Sequence, residues 1–221
     1  MNSWKDKKLK LTIQYLMSAV GGYMGAYTLS TGFGVFGSSQ TAHIVSIVKA
    51  LANFDLFELV FGIIGTLIYI LGIILAIILQ RKIAKYSMIC SAVIDIVAFC
   101  TIAVLPEYAI SLEIFISFFA MSFQWASFPS INGYTSATVF STNNLRQCVS
   151  GFTEYILTSD REQKHKGLYY LGTISSFYLS VFVYFIITKY TSHAIIFGII
   201  PTLIALFAIF REIAIEKKSQ M

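Results

Sequence analysis

GGYMGAYTLSTGFGVFGSSQTAH, residues 21–43, follows an apolar run of membrane length and gives way to a short amphipathic segment. It holds Gly21, Gly22, Gly25, Gly32, Gly34 and Gly37, six of the fourteen glycines in the chain. SFQWASFPSINGYTSATVFSTNN, residues 122–144, has the same layout. With Ala26 set on Ala126 and Thr41 on Thr142, the offsets are 100 and 101. Each copy passes from a small-residue helix end, through a Gly/Ser/Thr-rich passage, to a threonine that opens a new helix. The pair reads as an internal duplication.

Composition decides the class of molecule around these two stretches. The chain is 57% apolar and 12% charged, against roughly 25% charged in a globular protein. Its apolar runs reach the ~20 residues that a membrane span requires. A soluble fold of 221 residues could not hide so much apolar surface. Cys90, Cys100 and Cys148 are odd in number and lack a CxxC spacing, so they read as small apolar fillers. The chain has no HExxH, GxSxG or P-loop sequence and no paired carboxylates at a useful helical spacing, so neither an enzyme nor a cofactor is expected.

Taken in order, a basic leader precedes a first helix over residues 11–29, longer than the apolar core of a signal peptide. Residues 41–54 have a helical period but are too short to cross ~30 Å of hydrocarbon, with Thr41 placed to cap their N-terminus. Further spans are expected at 56–79, 84–105 and 109–128. A second short helix covers 142–157, a charged patch 160–166, then spans 167–188 and 194–210 and a polar tail. The expected fold is an all-α polytopic membrane protein in one domain, residues 1–221. It has six transmembrane helices and two short half-helices, as two inverted three-helix repeats (10–105 and 109–211).

Charge sets the orientation. With six spans, fourteen of the sixteen Lys and Arg residues fall on the side of the N-terminus, only Lys49 and Lys189 lying opposite. Positive residues favour the cytoplasm, so both termini are expected inside. The same segregation accounts for the net charge of +5 with no nucleic acid. Three spans per repeat place the halves in opposite orientations, and Gly62 and Gly172 match at an offset of 110. Inverted repeats of this kind typify secondary transporters, whose sites form near the midplane at interrupted helices in matching positions. Packing alone is the competing role for such glycines.

The polar residues at those positions and at membrane depth are the candidates for substrate or ion binding. Asp95 lies mid-span with Ser87 and Ser91 on its face, and a carboxylate there costs several kcal/mol unless it faces protein or water. Gln14 and Ser18 are one turn apart and are expected to bond across a helix interface. Glu113 lies near the outer end of the fourth span, where a solvated carboxylate is expected, with Gln124 on a similar face. Thr41 and His43 open one short helix, where an anion could sit at the N-terminus. Thr142, Asn143 and Asn144 open the other.

The motifs resemble those of the YoaK-like family of small bacterial integral membrane proteins, which have six spans. In the first half these are Gly22-Tyr23-Met24-Gly25-Ala26, then Phe36 and Thr41-Ala42-His43. In the second they are Ser122-Phe123-Gln124-Trp125-Ala126 and Thr142-Asn143-Asn144-Leu145-Arg146. The family's Asp in the first motif is Gly25 here and its Asn in the second is Trp125. The resemblance implies the six-span fold in a bacterial cytoplasmic membrane. The expected function is a small-molecule secondary transporter or permease, its partners the lipid bilayer, an unknown small molecule or ion, and a second copy or another membrane subunit. The alternatives are a substrate-binding subunit resembling the capture components of energy-coupling-factor transporters, and a membrane scaffold.

Overall fold

The computed structural model describes residues 3–31, 37–128 and 133–220. Gly32, Gly34 and Phe36 of the first glycine-rich stretch lie outside the described residues. The elements are α1 (Ser3–Ser30), α2 (Gln40–Ala52), α3 (Leu56–Val104), α4 (Ile110–Ser127), α5 (Thr142–Thr158), α6 (Arg161–Ile187) and α7 (Ile199–Gln220). Short 3-10 turns precede α4 and α7, and no strand forms among the described residues.

Among the described residues five helical segments are long and apolar enough to cross a membrane: Leu56–Ile83, Lys85–Val104, Ile110–Ser127, Arg161–Ile187 and Ala194–Lys217. Their outer faces expose rows such as Ile63, Leu67, Ile70, Leu71 and Ile74, a surface that belongs in lipid rather than water. The first two segments abut within α3 and part at Ile83, which leaves helical geometry at φ −154°, ψ 92°; Ser87 of the second arm donates to the Ala76 carbonyl of the first at 3.5 Å, so the chain turns back on itself there. No loop intervenes, so the second and third expected spans join directly.

α1 is the exception, and its composition explains why. It carries Gln14, Ser18, Gly21, Gly22 and Gly25, too polar a set for a lipid-facing helix, yet it packs against α4, α6 and α7. Met17, Val20 and Ala26 are fully buried with Gln14 and Ser18. Enclosed by protein, α1 needs small and hydrogen-bonding side chains more than apolar ones. A Cβ on Gly21 would run into the carbonyl of Thr138, and one on Gly22 into that of Phe177. Only glycine admits both neighbours so closely.

Contacts at its ends show that α1 runs the length of the bundle. Lys10 pairs with Glu212 at 3.5 Å and Glu216 at 3.4 Å on the last turns of α7. Glu216 also pairs with Lys85, just past the bend in α3. At the other end Ser30 meets the Tyr184 hydroxyl near the end of α6, 2.8 Å away, and Tyr23 donates to the Ala194 carbonyl at 2.6 Å.

The two short helices stand where the sequence puts them, but three boundaries shift. Ser39, not Thr41, is the N-cap of α2, and its side chain makes no capping bond. The charged patch 160–166 is the first turns of α6, begun by Asp160, whose carboxylate accepts from the Glu162 N–H at 2.9 Å. The polar tail continues α7 to Gln220, where its acidic residues meet Lys10 and Lys85.

Candidate functional site

Residues from both short helices line one cavity of about 830 Å³. Ser39, Gln40 and Thr41 come from the start of α2, and Thr142, Asn143 and Arg146 from the first turns of α5. Tyr69, near the middle of the first arm of α3, forms part of the wall with Trp125 and Phe140. Trp125 and Phe140 meet edge to face at 5.0 Å.

Two donors at this cavity are buried without partners. Tyr69 is 3% exposed and its hydroxyl has no hydrogen-bond partner. The buried Nε2 of Gln40 likewise has none. Neither N-cap serine side chain caps its own helix; the Ser141 hydroxyl instead accepts from the Tyr178 hydroxyl at 2.9 Å. Arg146 is exposed and makes no ion pair among the described residues. No acidic side chain lines the cavity among the described residues.

A second layer holds this wall in place. Gln14 of α1 donates to the Ser136 hydroxyl at 2.6 Å, and Ser136, itself a lining residue, meets the Tyr169 hydroxyl of α6 at 2.6 Å. Asn144 accepts from the Ala137 N–H and donates to the carbonyls of Ala137 and Phe140. It is the clasp that folds residues 137–140 back over α5.

His43 holds the matching place on α2. Its Nε2 lies 3.0 Å from the Gly62 carbonyl, so that nitrogen carries the proton and donates. The ring stands edge-on to Phe118 at 5.0 Å. His43 thus packs at the α2–α3–α4 junction, its Nε2 committed to the Gly62 carbonyl.

The structure therefore gathers Thr41, Thr142 and Asn143 at the cavity, with Gln14 and Asn144 supporting it from behind. Gln124 donates from α4 to the Met17 carbonyl of α1 at 2.7 Å and serves that helix crossing. Ser18 bonds the Gln14 carbonyl of its own helix at 2.8 Å and does not cross. Glu113 is buried, not solvated, because Tyr27 of α1 donates to its carboxylate. Asp95 is fully buried in the second arm of α3, apart from the cavity, and its Oδ2 is unpartnered, as is the Ser91 hydroxyl one turn earlier.

Sequence reasoning missed Gln40, Tyr69 and Arg146. Arg146 had a signal, since it lies four residues after Thr142 and so on the same helix face. Tyr69 sits in an otherwise apolar run and had none. Among the described residues no three His, Cys, Asp or Glu side chains come together as a metal site.

The family model described as "Protein of unknown function (DUF1275)" matches residues 13–209. No curated protein and no solved structure matches the chain. A match over most of the sequence, spanning both short helices and the cavity between them, makes this chain a member of the DUF1275 family.

Proposed function

We propose that this protein is a small secondary transporter or permease of a bacterial cytoplasmic membrane. It has six spans in two inverted three-helix repeats, both termini cytoplasmic, and works alone or as a homodimer. The YoaK-like resemblance belongs to this reading. The observation that carries it is the meeting of the two short-helix starts at one polar cavity, the arrangement that transporters with inverted repeats use for their substrates.

Several features support the repeat. Exchange α1 with α4, α2 with α5, the first arm of α3 with α6, and its second arm with α7, and the packing partners map onto one another. α2 lies on α3 as α5 lies on α6, and α4 lies along α3 as α1 lies along α6. Phe54 and Ser159 both take left-handed backbone, at φ 55° and 59°. Each is followed by an aspartate that caps the next long helix, Asp55 and Asp160. The packing pairs Gly62, against Ile47, with Gly167, beside Gly151 and Phe152, rather than with Gly172, which abuts Tyr15 of α1. The useful offset is thus 105, not 110.

The topology has its own support. The Lys10–Glu216–Lys85 cluster draws the start of α1, the bend of α3 and the end of α7 to one face, as a six-span chain with a cytoplasmic N-terminus requires. Tyr69 and Tyr178, each well inside a long helix, are level with the starts of α2 and α5. The short helices therefore enter from opposite faces and stop at mid-depth.

Cysteine labelling tests the reading. Thr41→Cys and Asn143→Cys, in a background with Cys90, Cys100 and Cys148 replaced, should react with a membrane-impermeant maleimide from both faces of the membrane in turn. A scaffold would leave each position reactive from one face only, and that result would overturn transport.

A further inference from the structure

We propose that the cavity between α2 and α5 seats the carboxylate or phosphate oxyanion of a small amphiphilic ligand; this names a substrate class for the transporter reading and rests on it. The donors decide the sign of the ligand's charge. Two helices of 13 and 17 residues start at this cavity, and a helix start carries about half a positive charge in its unpaired N–H groups. Both N-cap hydroxyls are turned to other uses or to none, so beyond Gln40, whose N–H donates to the Ser38 carbonyl, the first N–H groups keep their capacity to donate. Arg146 adds a full positive charge with a planar donor fork suited to an oxyanion.

Tyr69 is the independent witness. A hydroxyl buried without a partner costs about 1–3 kcal/mol, and proteins rarely keep such groups without reason. This one lines the cavity, beside the equally unpartnered Nε2 of Gln40. A bound oxygen acceptor would satisfy both. A cation would meet neither a carboxylate nor any other negative side chain among the described lining residues. The remaining wall, Trp125 with Phe140, is aromatic and suits an apolar ligand body. A volume near 830 Å³ leaves room for one beyond the oxyanion, within the usual range of about 300–1,000 Å³ for ligand sites.

The same oxyanion chemistry could arrive as a soluble anion or as an anionic lipid headgroup, and the experiment separates them. Trp4 and Trp125 are the only tryptophans, so Trp4→Phe leaves Trp125 as a reporter in the cavity wall. The full chain carrying Trp4→Phe, in phosphatidylcholine nanodiscs, is titrated with benzoate, its neutral relative benzamide, and inorganic phosphate. The expected result is a saturable change in Trp125 emission with benzoate, at least tenfold weaker with benzamide. Arg146→Gln should weaken benzoate at least tenfold and Tyr69→Phe severalfold, with the thermal melt unchanged for Arg146→Gln. A benzoate response that vanishes only in phosphatidylglycerol nanodiscs keeps the oxyanion seat and assigns it to a headgroup. Equal binding of benzamide and benzoate, indifference to Arg146→Gln, or no saturable response to benzoate or phosphate would overturn the proposal. Two-faced labelling of Thr41→Cys combined with any of those results would leave transport standing and remove only the anion.

Discussion

Asp95 is a carboxylate enclosed at membrane depth with one oxygen unpartnered, an arrangement that costs stability unless it serves a purpose. Asp95→Leu should therefore raise the melting temperature, while Asp95→Asn should fold normally and abolish any pH dependence of transport. Thermal melts of both, with uptake measured across pH, check this; a destabilised Asp95→Leu would show the carboxyl to be structural instead. Asn144 makes three hydrogen bonds to residues 137–140, each worth about 1 kcal/mol, so Asn144→Ala should cost about 2–3 kcal/mol. Asn144 was visible in the sequence as the close of a Thr-Asn-Asn start, but its work as a clasp was not. Which carbonyls it would reach depends on a loop that no local pattern specifies. Glu113 failed for a related reason: depth along a span said nothing of Tyr27 arriving from another helix.

The short helices were legible because their 3.6-residue period and length are local properties, and both were found to within one or two residues. The break between the second and third spans was legible too, from Gln80-Arg81-Lys82, and it falls at Ile83; only its tightness was not, because a charged run looks the same for a long loop and for a one-residue turn. The charged run 160–166, by contrast, misled. High charge suggested a loop, yet a capping aspartate makes such a run a sound helix start. Glycine carried more information at this scale than any charged residue. Gly22 lies against the Phe177 carbonyl, which is backbone and cannot swing aside. Gly22→Ala should therefore destabilise by about 1–3 kcal/mol through overpacking, whereas Gly133→Ala meets open space and only the strain of its φ of 80°. Unfolding of the two variants in detergent would separate a packing role for Gly22 from a merely flexible one.

At the scale of the whole molecule, the apolar runs announced a membrane protein at once, but α1 escapes a hydropathy criterion because it is wrapped by its neighbours. Its path had to be read from its contacts, Lys10 with α7 at one end and Ser30 with α6 at the other. Transport by this fold requires α1 to cross the membrane and α2 and α5 to stop at its middle. A density map of the protein in a lipid nanodisc tests both together. Lys10, Lys85 and Glu216 should lie at one edge of the lipid belt and Ser30 and Leu56 at the other. The first turns of α2 and α5 should face each other at mid-belt, across a cavity walled by Tyr69. A map with α2 and α5 lying flat on the two lipid surfaces, or with α1 outside the belt, would contradict it.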